Sequence, residues 1–320
     1  MLWLELSEAQ KRQYIDAESV YRAYQQAKKE AWLVRGSMFW RAVNRTNYLI
    51  KASPAGAQKS MGPQTPEKIA VHDRFNARKA VVEARLASLK TALAEQQRVN
   101  AALRVGRTPN VVVDILNRLE DARLDDHFLT VGTHALFAYE TACGVRVPSD
   151  VTATQDMDLL FDTQKRISLY SQVKKLDTSL LGILKKADKS FTIRSDQKYT
   201  AVNDKGFEVD IIRRKARGDD SHPLKMSDSD AEEEDFWAVQ VDKGAAMISS
   251  ERFEQVVVSV SGAMATMKTI HPLDFARIKS SLATLPNREP LKKNKDARQA
   301  ELVNELVPQY LPHLMRRAKE

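Results

Sequence analysis

The chain has 320 residues, 43% of them hydrophobic, with 50 Lys and Arg against 42 Asp and Glu, for a formal net charge of +8. This length and composition allow a sizeable core and exclude a disordered chain. No apolar run reaches about 18 residues, and charges appear early, so we expect neither a membrane-spanning helix nor a signal peptide. We expect a cytoplasmic protein in which the single cysteine, Cys143, has a core role.

The positive charge is unevenly distributed. Residues 1–110 contain 19 Lys and Arg against 9 Asp and Glu, whereas residues 111–320 contain 31 against 33. Such a division is typical of a basic module that attracts a polyanion towards an acidic catalytic module. A basic surface that is merely solvated is the alternative interpretation.

The N-terminal region is predicted to be mostly helical. Ser7 and Gln10 have the spacing of a capping box, and apolar residues follow at helical spacing, which predicts a helix over residues 7–34. Residues 36–62 predict a small β-hairpin-like element in which Trp40 and Tyr48 lie among Arg and Lys residues. Such aromatic residues either stack on nucleic acid or pack beneath solvated charges.

A long polar helix is predicted from Pro66 to about Leu103. It carries an apolar stripe at four-, three- and four-residue steps, formed by Val82, Leu86, Leu89 and Leu93. The stripe packs either within the chain or as the seam of a homodimer, and it is too short for a strong coiled-coil prediction.

From about residue 128 the pattern changes to short apolar runs separated by helical segments. It predicts strands in FLTVGT, MDLLF, FTIRS, KYTAV and FEVDIIR, with helices in HALFAYETA and over residues 168–187. Residues 219–235 form an acidic run and predict a solvated loop, and the tail beyond Ile270 is helical again. We predict a mixed α/β fold with an N-terminal module (1–105), a catalytic core (106–270) and a helical C-terminal segment (271–320).

Two aspartates stand at alternate positions of one predicted strand. In TQDMDLLFD, the side chains of Asp156 and Asp158 lie on the same face, because strand residues i and i+2 share a face. Converging carboxylates repel each other unless a cation lies between them, and hard oxygen ligands suit Mg²⁺ or Mn²⁺. An Asp-x-Asp pair is a weak signal by itself.

Asp210 is a third candidate metal ligand, in the apolar strand GFEVDIIRR. A strand that brings it beside the first pair would complete a two-metal site for phosphoryl transfer. Alternatively, Arg213 or Arg214 neutralises it, or it lies at a strand end.

A small-residue turn precedes these acids in the chain. Gly132 and Thr133 end one predicted strand and open a helix, where backbone amides and the threonine hydroxyl favour an anion such as phosphate. A strand-Gly-Thr-helix, an Asp-x-Asp strand and a later Asp strand, in this order, are the three parts of the DNA polymerase beta type of nucleotidyltransferase site.

The sequence also resembles a family of bacterial proteins with a nucleotidyltransferase fold in the DNA polymerase beta superfamily, over roughly residues 35–315. The most specific matches are GTHALFAYETACGVRV and TQDMDLLFD. Further matches are FWRAVNRTNYLIK, SMGPQTPE, GFEVDII, HPLDFARIK and NREPLKKNKDARQA. The resemblance implies catalytic or metal-binding roles for Asp156, Asp158 and Asp210, and phosphate binding by Gly132 and Thr133.

Three basic residues are further nucleotide-binding candidates. Lys279 and Lys295 stand at positions that match the family, where a lysine can contact a triphosphate, and Asp296 would orient a neighbouring base. Arg166 is a comparable candidate that follows the Asp-x-Asp strand. The alternative for each is an exposed helical face. For His134, beside the Gly-Thr turn, we expect a solvent-exposed position at the start of a helix.

Together these features predict a metal-dependent nucleotidyltransferase that moves a nucleoside monophosphate from an NTP to an acceptor hydroxyl. Basic charge favours an RNA acceptor, tRNA ends among them, although a protein or a small molecule would need no different set of acids. A role as a toxin or defence factor is suggested only by analogy. The rival hypothesis is a catalytically inert protein of the same fold that binds nucleic acid or a partner.

Overall fold

The structure, a computed structural model, describes residues 3–218, 220–226 and 236–315. The chain forms two compact units: an N-terminal unit, Arg12–Ala102, and a main unit, which combines Met1–Lys11 with Leu103–Glu320. The C-terminal helices belong to the main unit. The division into three domains at residues 105 and 270 stays a prediction.

The described residues contain the following regular elements. The strands are β1 (Leu4–Glu5), β2 (Ser37–Val43), β3 (Thr46–Ala52), β4 (Gln58–Pro63), β5 (Phe128–Val131), β6 (Val145–Arg146), β7 (Asp156–Phe161), β8 (Thr192–Ile193), β9 (Thr200–Val202), β10 (Glu208–Arg214), β11 (Leu224–Lys225), β12 (Trp237–Val241), β13 (Arg252–Val258) and β14 (Met264–Ile270). The helices are α1 (Glu8–Leu33), α2 (Pro66–Ala102), α3 (Asn110–Asp121), α4 (Ala135–Cys143), α5 (Ser149–Thr152), α6 (Arg166–Lys175), α7 (Leu180–Ala187), α8 (Gly244–Ile248), α9 (Pro272–Ala283) and α10 (Pro290–Tyr310). Among the described helices, none combines the length and the apolar character needed to cross a membrane.

The capping box at the start of α1 is confirmed. The Ser7 backbone N–H donates to Gln10 Oε1 (2.9 Å), and the Gln10 N–H donates to Ser7 Oγ (3.3 Å). These reciprocal bonds satisfy two amides that lack a partner within the helix.

Within the N-terminal unit, α1 and α2 pack against each other in opposite directions. Gln13 near the start of α1 donates to Gln96 Oε1 near the end of α2 (2.8 Å), and Arg85 pairs with Glu30 (3.2 Å). Val82 of the apolar stripe is buried in the chain. Leu86, Leu89 and Leu93 are half-buried, so the stripe packs in part within the chain. The homodimer stays a prediction. In the sequence between α1 and α2, the strands β2, β3 and β4 form a three-stranded antiparallel sheet. The predicted hairpin-like element therefore has three strands instead of two.

The predicted mixed α/β class is confirmed in the main unit. Its sheet has the order β11-β12-β10-β7-β5. Strand β10 runs parallel to β7, and on its other edge it pairs with β9 at its start and with β12 at its end. Strand β5 is antiparallel to β7. The pairing of β10 with β7 thus places residues 208–212 beside residues 156–160.

Two apolar clusters cover the faces of this sheet. Met157, Leu159 and Phe161 of β7 pack in one cluster with side chains from α3, α6 and α7. Leu160 and Ile212 pack on the opposite face with side chains from α4, α9 and α10. Asp156 and Asp158 alternate with the first set along β7, so they share the face that α4 and α10 cover.

Three features of the main unit differ from the sequence-based expectations. The single helix predicted over residues 168–187 is wrong: Asp177 has a left-handed backbone (φ 48°), and Ser179 caps a new helix, α7, by accepting from the Gly182 N–H. The hairpin of β13 and β14 was not predicted. Part of the predicted acidic loop at 219–235 is a strand, because residues 220–226 include β11. Residue 219 and residues 227–235 lie outside the described residues.

The expected exposure of His134 is also wrong, because its side chain is completely buried. The ring lies 5.8 Å from the ring centroids of both Phe137 and Phe207. Its Nδ1 is 3.0 Å from the carbonyl oxygen of Asp156, and since a carbonyl can only accept, Nδ1 carries the proton. Burial lowers the pKa of His134 to about 4.

We predict that His134 makes the protein less stable as the pH falls. Its folded pKa of about 4 lies below the ordinary histidine value of 6.5, so the unfolded chain binds a proton that the folded chain excludes. The stabilisation is present above pH 6.5 and is lost towards pH 4, by up to about 3 kcal/mol. Urea titrations between pH 4 and 7.5 should show a shallower pH dependence of the unfolding free energy for His134→Gln. Equal dependence in both proteins would contradict this assignment.

Candidate active site

The three predicted acids come together through the register of two parallel strands. Asp210 of β10 lies directly beside Asp158 of β7, and Asp156 lies beside Glu208. Neighbouring strands are about 4.8 Å apart, and residues paired in register point to the same face. The main unit therefore presents four carboxylates on one face, including Glu208, which the sequence reasoning did not select.

The environment of these carboxylates opposes full ionisation. Burial, followed by repulsion from Asp156 and Asp210, raises the pKa of Asp158 to about 7. Burial likewise raises the pKa of Asp210, although the Thr200 hydroxyl, which donates to Asp210 Oδ1 at 2.6 Å, acts in the opposite direction. A cation at this face would remove the cause of the repulsion.

The arginines that follow Asp210 do not neutralise it. Arg213 Nη2 donates to the carbonyl oxygen of Ser221 (2.8 Å), and Arg214 forms an ion pair with Asp220 (2.7 Å). The alternative in which one of these arginines pairs with Asp210 is therefore not realised.

The other acids of this face hold defined contacts. Asp156 is exposed and accepts a hydrogen bond from the Thr154 hydroxyl. Glu208 forms an ion pair with Arg194 at 2.7 Å. Among the described residues, no group of three or more His, Cys, Asp or Glu side chains is arranged as a metal site. The chemistry of the donors nevertheless fits Mg²⁺ or Mn²⁺, since these are hard oxygen ligands whose mutual repulsion already raises the pKa of Asp158.

Gly132 allows the turn before α4 to approach the Asp158 carboxylate. A Cβ atom at this position would lie 2.1 Å from Asp158 Oδ2, and the backbone has a φ of 64°, which favours glycine. Any side chain at residue 132 would therefore both strain the turn and displace the carboxylate.

Thr133, the next residue, is held by a residue from the far end of the chain. Gln299 of α10 donates from Nε2 to Thr133 Oγ1 (3.2 Å) and to the Val151 carbonyl oxygen (2.7 Å). Since Thr133 Oγ1 is the acceptor in this bond, the hydroxyl proton of Thr133 can be donated to another group. Gln299 is fully buried, and its Oε1 has no hydrogen-bond partner. The sequence reasoning did not find Gln299, because a glutamine in a helix gives no signal of its own.

A basic network from α9, α10 and the segment between them lies close enough to act on the acids. Lys279 is buried, not on an exposed helical face, and its Nζ donates to Asp296 Oδ1 at 2.8 Å. Arg288 donates to Asp296 Oδ2 through Nε (3.0 Å) and through Nη2 (2.8 Å). Both cations counteract the upward shift of the pKa of Asp158. Arg288 is another residue that the sequence reasoning missed.

Lys295 joins the same region, but Arg166 does not. Lys295 Nζ donates to the Ala153 carbonyl oxygen (2.6 Å), and burial followed by repulsion from Lys279 lowers its pKa. Arg166 follows the far end of β7, five residues beyond Phe161, and bonds to Tyr170 and Ser221. The structure therefore places Lys279 and Lys295 with the acids and places Arg166 at the opposite end of the strand.

Comparisons with known proteins complete these observations. Neither the curated proteins nor the solved structures give a significant match. A family model described as nucleotidyltransferase matches residues 110–320, which is more than half of the chain and includes the acids, the Gly-Thr turn and the basic network. The chain belongs to this nucleotidyltransferase family.

Proposed function

We propose that the protein is a metal-dependent nucleotidyltransferase that transfers a nucleoside monophosphate from an NTP to a hydroxyl of RNA. The observation that carries this proposal is the pairing of Asp158 with Asp210, with Asp156 on the same face and Gly132 in close contact with Asp158. Carboxylates in this arrangement suit the binding of divalent cations beside a phosphate group.

In this mechanism the acceptor oxygen attacks the α-phosphorus of the NTP. The bond from that phosphorus to the bridging oxygen breaks, and pyrophosphate leaves. Asp156 and Asp158 would hold the divalent cations, and Asp210 would be a further ligand of the second one. Mg²⁺ or Mn²⁺ bound there would stabilise charge on the attacking and leaving oxygens. Asp210 would also help to deprotonate the acceptor hydroxyl.

The turn and the basic network would bind the triphosphate. The Thr133 hydroxyl proton, left free for an acceptor by the Gln299 contact, would be donated to a phosphate oxygen, and Gly132 would let the backbone approach. Lys279, Lys295 and Arg288 would offset the negative charge of the phosphates. Arg166 has no part in this arrangement. The toxin or defence role stays a prediction.

The choice of RNA as the acceptor rests on charge. Residues 12–102, the N-terminal unit, contain 16 Lys and Arg against 7 Asp and Glu, whereas the rest of the chain contains 34 against 35. A polyanionic acceptor would gain affinity from this unit by releasing counterions, whereas a small neutral acceptor would not.

We predict that Asp158→Asn and Asp210→Asn abolish transfer while the fold is retained. Each change removes a metal ligand at nearly constant volume. Mutation of a residue that only orients a metal ligand lowers metal affinity or activity roughly 10- to 100-fold, so loss of the ligand itself should lower the transfer rate by more than that. The assay uses each α-³²P-labelled NTP with Mg²⁺ and total cellular RNA, and circular dichroism checks the fold. Asp177→Asn, an exposed position with a left-handed backbone, is the matched control and should keep full activity.

Two results would contradict this prediction. Transfer by Asp158→Asn at the wild-type rate would show that the assigned acids are wrong. If the wild-type protein transferred label to no RNA, protein or small-molecule acceptor, the inert binding protein would become the better account.

We also predict that cation binding strengthens with pH. The Asp158 carboxyl has a raised pKa of about 7 and must lose its proton to bind a cation, so protons compete with the metal below that pH. The dissociation constant for Mn²⁺ should fall by up to about tenfold per pH unit between pH 5 and 7 and level off above. Calorimetric titration should show this dependence in the wild type and its loss in Asp158→Asn. A pH-independent affinity in the wild type would exclude Asp158 as a ligand.

A further inference from the structure

The excess positive charge of the N-terminal unit is concentrated in one segment. Between Glu30 and Glu67 the sequence contains no acidic residue and five basic ones, namely Arg35, Arg41, Arg45, Lys51 and Lys59. On the helices of the same unit, by contrast, three basic residues have acidic partners: Arg22 pairs with Glu18, Lys79 with Glu83 and Arg85 with Glu30. Four of the five basic residues belong to the sheet β2–β3–β4 and its first turn.

The sheet holds two of these charges in an unfavourable arrangement. Lys51 of β3 lies directly opposite Lys59 of β4, and both are exposed. Like charges directly opposite each other destabilise a sheet, and no acid in this segment offsets them. At the turn between β2 and β3, Asn44 and Arg45 both have positive φ (46° and 66°), and Arg45 is exposed there. An anionic ligand would offset this repulsion.

Aromatic rings lie beside one of these charges, that of Arg41. Arg41 of β2 is directly opposite Tyr48 of β3, and its guanidinium lies 5.6 Å from the centroid of the Phe39 ring. Arg41 Nη2 donates to Gln58 Oε1 of β4 at 2.6 Å, so the guanidinium is oriented without being neutralised. Tyr48 is half-buried, which leaves part of its side chain accessible to a ligand. Basic side chains with accessible aromatic rings are the combination that binds single-stranded nucleic acid.

The composition of the sheet surface disfavours an anionic membrane as the partner. Over residues 37–63, Val43 is the single large hydrophobic side chain that is exposed. Insertion into a lipid interface needs a substantial apolar face in addition to basic charge. The sheet has the charge and the rings, but it lacks that apolar face.

From these observations we infer that the sheet β2–β3–β4 binds single-stranded RNA. Arg41 and Arg45 contact phosphates, and Tyr48, which shares a face with Arg41, stacks on a base. Lys51 and Lys59 point to the other face of the sheet and add to the positive field that attracts the RNA. The inference rests on the proposed function in one respect: it identifies the bound RNA with the acceptor. The binding itself does not depend on the catalytic acids.

The test uses two full-length variants that remove the same number of positive charges. The sheet variant carries Arg41→Gln, Arg45→Asn, Lys51→Gln and Lys59→Gln, with asparagine at residue 45 because it tolerates the left-handed backbone. The control carries Lys174→Gln, Lys175→Gln, Lys185→Gln and Lys186→Gln, at exposed positions on α6 and α7. Thermal unfolding verifies that both variants fold.

The measurement is fluorescence anisotropy of a labelled single-stranded RNA of about 20 nucleotides, a length that exceeds common single-strand site sizes. Salt is varied from 50 to 200 mM, the range in which binding to phosphates weakens strongly. For the wild type and the control, log K should fall steeply with log salt. The sheet variant should bind more weakly, and its slope should be shallower by about 0.7 for each phosphate that the protein no longer neutralises. Tyr48→Leu should weaken binding by roughly 5- to 150-fold and leave the slope unchanged.

The outcomes separate this inference from the proposed function. Asp158→Asn should bind the RNA as tightly as the wild type while it fails in transfer. Equal RNA affinity of the sheet variant and the control would overturn the inference, even if transfer to RNA is observed. The inference would also be overturned if the wild type bound no RNA but bound vesicles containing phosphatidylserine through the same four residues. Loss of RNA binding in the sheet variant alone would support the inference, whatever the transfer assay shows.

Discussion

The parallel pairing of β7 with β10 is the constraint on which the main unit depends. It sets Asp158 beside Asp210 and Asp156 beside Glu208, so like charges face each other across two strands. The resulting repulsion contributes to the raised pKa of Asp158. The opposite face of the same strands supplies the compensation, because four of its side chains are fully buried: Met157, Leu159, Val209 and Ile211. Burial of each large side chain contributes about 1.5–3 kcal/mol, which opposes the repulsion between the carboxylates.

The basic network balances the acids without forming direct ion pairs with Asp158. Lys279 and Arg288 both donate to Asp296, so their charges reach Asp158 through space while their hydrogen bonds are used elsewhere. A direct pair with a lysine would hold the carboxylate oxygens that a cation needs. With Asp296 as the shared acceptor, the carboxylates of β7 remain available, and the network retains one net positive charge.

Sequence alone was sufficient for the parts of the site that rest on local periodicity. Asp156 and Asp158 share a face because alternate strand residues always do, and Gly132 and Thr133 mark a turn by residue type. The contacts that complete the site are not local. Gln299 and Thr133 are 166 residues apart, and no pattern in α10 indicates the contact. His134 was predicted wrongly for the same reason, because its burial depends on Phe207, a residue from a distant part of the sequence.

The two units differ in their balance of charge, and this difference underlies the two roles proposed for them. The main unit holds 34 basic and 35 acidic residues, and it carries the carboxylates whose pKa values respond to their neighbours. In the proposed function these acids bind cations, and further fixed positive charge beside them would repel a cation. The excess positive charge lies instead in residues 12–102, on the unit that does not contain the acids. The proposed function therefore assigns the attraction of a polyanion to one unit and the binding of cations to the other.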